Sequence, residues 1–506
     1  MNREKVAWMI SVLLIALLAF HLPGTMAQRE SDYAFVRRLV DIHRQIANNY
    51  VEAVDDAKLE QGALEGMFGQ LDPFSMYVRP EKVQEFDDML EGSFEGVGIQ
   101  LNQDEKTKQI EIITPIEGSP AFKAGVFAGD VLLKVNGEAI AGMSIQDVTK
   151  RIKGKADSAV TLRVRHTTGE EVDLTMTRSK VVVPSVKGFK RKQDSTWNWY
   201  VYPNPKIGYI RVTQFTGETT NPSTGEKVPS TVDRIKFALS GDGNGWKGMI
   251  ADGMKGLILD LRFNPGGRLD QAVQLVDLFI DKGVIVSTKG RNRPENIVSA
   301  QGPGTLKYFP MVVLINEHSA SASEIVAGSL MDNQRALVIG ERSYGKGSVQ
   351  ELINLDGNQG ELKLTVAYYY LPSGRLVHKK KDATDWGVQP QVRVPADEET
   401  EKKIMIELEQ HERFLPPVGK PGATQPTTKG AATQPASSDI QLQRAIDTMI
   451  GMVVLQGART GGDAPNPAIP AKPAVDVPAM PDNMNPTSRP STTKPAGPVT
   501  KPVEKK

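Results

Sequence analysis

A multidomain chain of mixed α/β and α+β class is what the sequence predicts, and three observations carry it. The hydrophobic period changes along the chain: three and four before position 91, short β-rich runs to about 180, then strands alternating with helices to about 395. At 506 residues the chain is longer than one ordinary domain. Its last hundred residues turn to Pro, Ala, Thr and Lys, with too few large apolar side chains to repay chain ordering.

The first element, residues 1–27, reads as a signal peptide or N-terminal anchor. Arg3 and Lys5 precede an apolar run from Val6 to Leu22, and Thr25-Met26-Ala27 supplies small residues where an exported precursor is cut. The run is near the lower limit for spanning a bilayer, so a retained anchor over residues 6–22 is the alternative. Either way the folded body is expected outside the cytoplasm, periplasmic or otherwise extracytoplasmic. Residues 31–91 follow as a helical N-terminal region, with Phe35, Leu39, Ile42 and Ile46, then Leu59, Ala63 and Met67, then Val83, Phe86 and Leu90 at helical spacing. Leu71-Asp72-Pro73-Phe74-Ser75 breaks the pattern, since proline cannot continue a helix interior.

Residues 92–180 predict a compact, mostly β domain: runs at 97–101, 110–116, 131–135, 160–164 and 172–176, with one helix from Ser144 to Ile152. Residues 181–395 predict an α/β core, with strands at 256–261, 284–287 and 311–315 and helices at 269–280 and 323–331. Between 217 and 253 the composition turns to Gly, Asn, Ser, Thr and Asp around a weak helical stretch, Val232 to Leu239, and reads as a surface insertion. Residues 396–460 read as a linker and a C-terminal helix, in which Ile440, Leu442, Ile446, Ile450, Val453 and Val454 share a face and Asp439 serves as N-cap. Residues 461–506 read as a disordered tail.

Lys+Arg 61 against Asp+Glu 60 implies no polyanionic partner, so nucleic acid is not expected. Cysteine is absent, which removes disulfides, thiolate nucleophiles and thiolate metal sites together. His43, His166, His378 and His411 are scattered without ligand spacing and no His-Glu-x-x-His occurs, so neither metal nor cofactor is expected.

The chemistry-bearing segments lie in the α/β region. Ser319-Ala320-Ser321-Ala322-Ser323-Glu324 follows the apolar run 311–315, and Lys346 stands between glycines in Gly345-Lys346-Gly347-Ser348-Val349-Gln350. A serine needs a base to become a nucleophile, and a lysine amine serves if burial lowers its pKa from about 10.4 towards 7 or 8. Ser321-Ala322-Ser323-Glu324 also fits a capping box, a structural reading that points the hydroxyl elsewhere. Asn264-Pro265-Gly266-Gly267 follows a strand, as an ordinary turn or as a source of a backbone N–H for an oxyanion. His318, three residues from Ser321, lacks a Gly-x-Ser-x-Gly elbow around that serine and reads as structural.

With these segments together, the chain resembles the carboxyl-terminal processing peptidases, or tail-specific proteases, from about Phe35 to Pro395 and in the helix near Leu442. Further matching segments are Gly62-Ala63-Leu64-Glu65-Gly66-Met67 with Leu71 to Ser75, Gly92-Ser93-Phe94-Glu95-Gly96-Val97-Gly98-Ile99, and Leu259-Asp260-Leu261-Arg262-Phe263 running into the glycine pair. The resemblance implies a crotonase-like protease core with an inserted PDZ domain, and cleavage of proteins near their C-termini. It implies that the middle serine, Ser321, is the nucleophile and that Lys346, 25 positions on, is the base. It also implies that Gln350 orients the lysine, and that backbone amides of Ala322 and of Gly266 or Gly267 form the oxyanion hole. In PDZ-like domains the loop corresponding to Gly96, Val97, Gly98 and Ile99 offers free amides to a peptide carboxylate while the peptide adds to the sheet edge.

The resulting expectation is an exported serine endopeptidase with a Ser-Lys dyad, acting on proteins with free apolar C-terminal tails. Membrane anchoring, a homo-oligomer or a regulatory partner is compatible with it. The rival is a catalytically silent PDZ peptide-binding scaffold, which has no need of serine, lysine, glutamine and glycine pair together.

Overall fold

The computed structural model describes residues 8, 33–104, 106–192, 194–220, 225–243, 245–306, 308–414 and 438–460. Apart from Trp8, the leader lies outside the described residues, as do the low-apolar stretches 417–436 and 461–506. Among the described residues no helix is long and apolar enough to cross a membrane.

The chain forms two units that divide after Tyr77. The first is helical over 33–49 and over Asp56–Phe68 (α1), where Asp55 caps the helix by accepting from the Ala57 and Lys58 amides. The predicted break at 71–75 is an Asx turn, with Asp72 Oδ1 accepting from the Phe74 amide at 2.9 Å and the Ser75 amide at 3.1 Å.

The second unit begins with Val83–Leu90 (α2) and a β domain. Ser93–Gly96 (β1) leads through two residues into Ile99–Gln103 (β2), followed by Ile110–Pro115 (β3) and Val131–Val135 (β4). Helix Ile145–Ile152 (α3), capped by Ser144, precedes the hairpin Ala159–Arg165 (β5) and Glu171–Thr177 (β6). The sheet order is β2-β3-β4-β5-β6, which leaves β2 at an edge. Ile112, Val148, Leu162 and Val164 are fully buried in this domain's own core. Strand Ser179–Val182 (β7) returns to pair with β1 and carries the chain onward.

The α/β region is built on a parallel sheet in the order Lys206–Val212 (β8), Gly256–Asp260 (β9), Met311–Ile315 (β11), Leu337–Gly340 (β12) and Val392–Arg393 (β15). Its strands are buried on both faces, which is why they read as continuous apolar runs. Leu257 and Leu259, with Met311, Val313 and Ile315, face one core, while Ile258, Val312 and Leu314 face the other. Helices Thr231–Ser240 (α4), Leu269–Asp277 (α5) and Ala322–Asp332 (α6) contribute to the first core. A second sheet contains Val284–Gly290 (β10) and the hairpin Ser348–Asn354 (β13) and Glu361–Tyr370 (β14).

Two expectations are corrected. Within 217–253, read as a surface insertion, the stretch 231–240 is part of the main core, because α4 buries Val232, Ile235, Ala238 and Leu239 there and Met249 follows them. The helical stretch is visible in the sequence, and its polar flanks conceal only that its apolar face is buried. The stretch read as a linker after 396 begins with a helix, Glu398–Glu412 (α7), whose buried residues are Ile404 and Leu408 alone. The end of α7 ties the β domain to the core: the Phe414 amide donates to Thr114 Oγ1 at 3.1 Å, and its ring meets Phe122 at 4.9 Å. The C-terminal helix Ile440–Thr460 (α8) covers the second face of the parallel sheet through Leu442, Ala445, Ile446 and Met449.

Candidate active site

Three segments of interest leave the C-terminal ends of neighbouring parallel strands, the usual place for a site in an open α/β sheet. After β9 comes Arg262 to Gly267, after β11 Asn316 to Ser321, and after β12 Ser343 to Lys346. Asn264, fully buried, ties the first two together. Its Nδ2 donates to the Val212 carbonyl at 2.8 Å, its Oδ1 accepts from the Gly266 amide at 2.8 Å, and its carbonyl accepts from the Ala320 amide at 3.0 Å.

The three serines of the triplet differ in burial and bonding. Ser319 is fully buried and donates to the Leu261 carbonyl at 2.8 Å, and Ser323, equally buried, donates to the Asn264 carbonyl at 3.0 Å. Ser321 alone is partly open. Its backbone, φ 55° and ψ −114°, lies in a region that costs a non-glycine residue about 1–3 kcal/mol and recurs at functional sites. Gly266 makes that turn fit, since a Cβ there would lie 2.8 Å from Ser321 Cβ and 2.9 Å from the Ala322 amide nitrogen.

Glu324, with no exposed surface, is the hub between the serine and lysine segments. Its Oε2 accepts from the Ser321 amide and the Lys346 amide, each at 2.8 Å, so those two nitrogens cannot be further apart than twice that distance. Its Oε1 accepts from Gly345 N–H at 2.7 Å and Ser343 Oγ at 2.5 Å. Burial pushes this carboxyl above the usual range, against the hydrogen bonds from Ser343, Gly345, Ser321 and Lys346. Tyr369, from β14, donates to the Ser321 carbonyl at 3.1 Å and also reaches the Lys346 carbonyl. Burial raises its phenol well above the ordinary value, with Glu324 adding to the effect.

Lys346 enters β13 directly, and Gln350 stands on that strand with its Nε2 on Ser348 Oγ at 2.8 Å and Thr365 Oγ1 at 3.2 Å. The glycine pair separates by its bonding. Gly266 N–H is taken by Asn264, while the amides of Gly267 and Ala322 have no partner among the described residues. In the β domain, the Val97 carbonyl accepts from the Ala121 amide at 2.9 Å and the Gly98 carbonyl from the Ile116 amide at 2.8 Å. The amides of Val97 and Gly98 have no partner among the described residues, and Gly96 and Ile99 flank them at the ends of β1 and β2.

His318 is drawn elsewhere. Its ring stacks on Phe263 at 5.6 Å, and its Nε2 lies 3.6 Å from Glu401 and 3.8 Å from Glu317. Ligand atoms of Glu317, His318 and Glu401 fall within 4.8 Å of one another, a grouping invisible to sequence spacing because Glu401 comes from α7. With the histidine half exposed beside two carboxylates, ordinary polar contacts at the surface account for the grouping. The residues missed from sequence are Glu324, Asn264, Ser343 and Tyr369. Two of them carry a sequence signal: Asn264 opens the turn before the glycine pair, and Glu324 closes the capping-box pattern, a cap it also forms.

Comparison with known proteins adds the family context. Residues 206–394 match the model described as Peptidase family S41, residues 111–166 a PDZ domain, and residues 21–82 the N-terminal domain of the activating protease CtpB. The Carboxy-terminal-processing protease of Bartonella bacilliformis is 36% identical over 380 residues, covering 74% of this chain and 80% of that protein. The Carboxy-terminal processing protease CtpA of Bacillus subtilis is 34% identical over 358 residues, covering 70% and 68%. Among solved structures, the photosystem II D1 C-terminal processing protease aligns over 71% of this chain and 88% of its own, at 28% identity and a TM-score of 0.38.

Proposed function

The chain belongs to peptidase family S41 and is a serine-type, C-terminal processing protease with a PDZ domain; from that premise we propose that it cleaves with a Ser321–Lys346 dyad. Ser321 Oγ attacks the peptide carbonyl carbon as the neutral Lys346 amine takes its proton, and the resulting ammonium returns the proton to the leaving amine. Water then repeats the sequence on the acyl-enzyme, releasing the new C-terminus and restoring the serine. Ala322 N–H and Gly267 N–H receive the oxyanion, at the positive end of α6. Gln350 Nε2 is held by two hydroxyls, which leaves its Oε1 as the acceptor that orients the amine in this proposal.

The observation that supports this reading best is the single Glu324 oxygen shared by the Ser321 and Lys346 amides, beside two backbone donors with no partner among the described residues. The PDZ domain, spanning about residues 92–180, takes the substrate's terminal carboxylate on the Val97 and Gly98 amides while the tail adds along the edge strand β2. The substrates are accordingly proteins with free, apolar C-terminal tails. The core is of crotonase type. Export is part of the same proposal: residues 1–27 direct the chain across the cytoplasmic membrane, with 6–22 either cut off or kept as an anchor.

An unfolded protein with an apolar tail, incubated with wild type and with Ser321→Ala and Lys346→Ala, is expected to be shortened from its C-terminal side by wild type alone. Binding without cleavage by wild type would leave the scaffold reading, and cleavage surviving either substitution would remove the dyad.

A further inference from the structure

Among the described residues Arg262 is the largest side chain with no exposed surface, and it stands two residues before Asn264 in the segment that supplies Gly267. All five of its N–H donors are engaged. Nε bonds Asp260 Oδ1 at 3.0 Å and Nη2 bonds Asp260 Oδ2 at 2.6 Å. Nη1 and Nη2 also clasp Asp439 end-on, at 2.7 Å to Oδ1 and 2.8 Å to Oδ2, while Nη1 reaches Gln441 Oε1 at 3.3 Å. Tyr209 closes the network by donating to Asp260 Oδ2 at 2.7 Å. Asp439 works twice, because its Oδ1 also accepts from the Leu442 amide at 2.8 Å and so caps α8.

We propose that Asp439, at the start of the C-terminal helix, is a positioning residue for the oxyanion loop 262–267 and acts on it through Arg262. The inference rests on the reading of Ser321 and Gly267 given above. A buried guanidinium clamped by two carboxylates has one low-energy placement, and losing one carboxylate leaves a buried cation underpaired and free to shift. The chain from Arg262 to Gly267 is short, and Asn264 in it fixes both the Gly266 amide and the Ala320 amide. A displacement at Arg262 therefore reaches the oxyanion donors, where an error on the order of 1 Å costs about a hundredfold in rate. Helix α8 lies on the face of the sheet opposite α6, so a segment remote in sequence and on the other side of the core sets the turnover of the site.

The test compares Asp439→Asn, which keeps the cap and removes the charge, with Ile446→Ala, which loosens the same helix through its apolar face. Asp439→Asn is expected to lower kcat by at least about tenfold, with KM for an apolar-tailed peptide within about twofold, and to weaken a peptidyl boronate, a mimic of the oxyanion, by the same factor as kcat. Amide hydrogen exchange should quicken across 262–268. Ile446→Ala should lower Tm with kcat unchanged. Equal losses of kcat in the two variants at matched loss of Tm would reduce Asp439 to a fold-holding role and overturn the proposal, as would unchanged kcat in Asp439→Asn. Exchange at 262–268 needs no turnover: if wild type were inactive, the dyad would fall while unchanged exchange in Asp439→Asn would independently refute the clamp.

Discussion

The backbone amides of Ser321 and Lys346, 25 positions apart, end on the same carboxylate oxygen, Oε2 of Glu324, each at 2.8 Å. Nucleophile and base are thereby held to a common point that belongs to neither. Glu324→Ala is expected to leave the buried amides of Ser321, Gly345 and Lys346 without an acceptor, at about 1–3 kcal/mol for each group left unsatisfied. Thermal unfolding should show a clear fall in Tm, and steady-state kinetics a loss of kcat of about a hundredfold. Glu324→Gln keeps the size but turns an NH2 towards amide donors, so it should not restore kcat. Full kcat in Glu324→Gln would show that the hub does not govern the site.

Gly266 tests the strained turn at Ser321. At φ 103°, an added methyl meets the Ala320 carbonyl oxygen at 2.7 Å and Ser321 Cβ at 2.8 Å. Gly266→Ala should lower kcat by about a hundredfold while the PDZ domain still binds tail peptide at wild-type affinity, measured by titration on the full chain.

Gly98 makes the complementary prediction for substrate capture. With φ 78° and Ser119 Cβ in the path of any added methyl, Gly98→Ala must distort the loop that carries the two unpartnered amides. The expected outcome is a KM for tail-bearing substrates raised by about tenfold, the equivalent of about 1.4 kcal/mol, with kcat unchanged. A fall in kcat with KM unchanged would place the loop's role in the chemistry instead.

Acid stability follows from the Arg262 network. Burial acts to raise the Asp260 carboxyl, but the Arg262 charge and hydrogen bonds, helped by Arg211 and Tyr209, outweigh it and leave its pKa below the ordinary value. A carboxylate depressed in the folded state contributes stability that is fully present above its unfolded value of about 3.9 and is lost as pH falls through the folded value. Denaturant unfolding followed below about pH 4 should show that loss in wild type, and a shallower slope in Asp260→Asn. Equal slopes would mean that Asp260 is not held ionised by Arg262.

The segments that came through in the sequence are those whose backbone geometry demands particular residues. The glycine pair at 266–267, the glycine-flanked Lys346 and the turn at Ser321 all need conformations few residues accept, so their composition advertises them. Glu324 did not stand out, because its position three residues into α6 already has a local explanation. Its other partners, Ser343, Gly345, Lys346 and Tyr369, lie 19 to 45 positions away. Helix α4 is legible as a helical stretch at 232–239, but its Gly- and Asn-rich flanks conceal its burial in the main core, and α7 is concealed by burying only Ile404 and Leu408 among many charges. Both depend on contacts made after the core assembles, which no local pattern records.

The central claim is that Lys346 activates Ser321, and covalent labelling with a peptidyl fluorophosphonate across pH tests it most directly. The account predicts one adduct, mapped by mass spectrometry to Ser321, whose formation rate climbs on the basic side as the lysine loses its proton. It predicts a rate at least about a hundredfold lower in Lys346→Ala and unchanged in His318→Ala. Labelling of Lys346→Ala at the wild-type rate, or a single limb near pH 6.5 that disappears with His318→Ala, would contradict it.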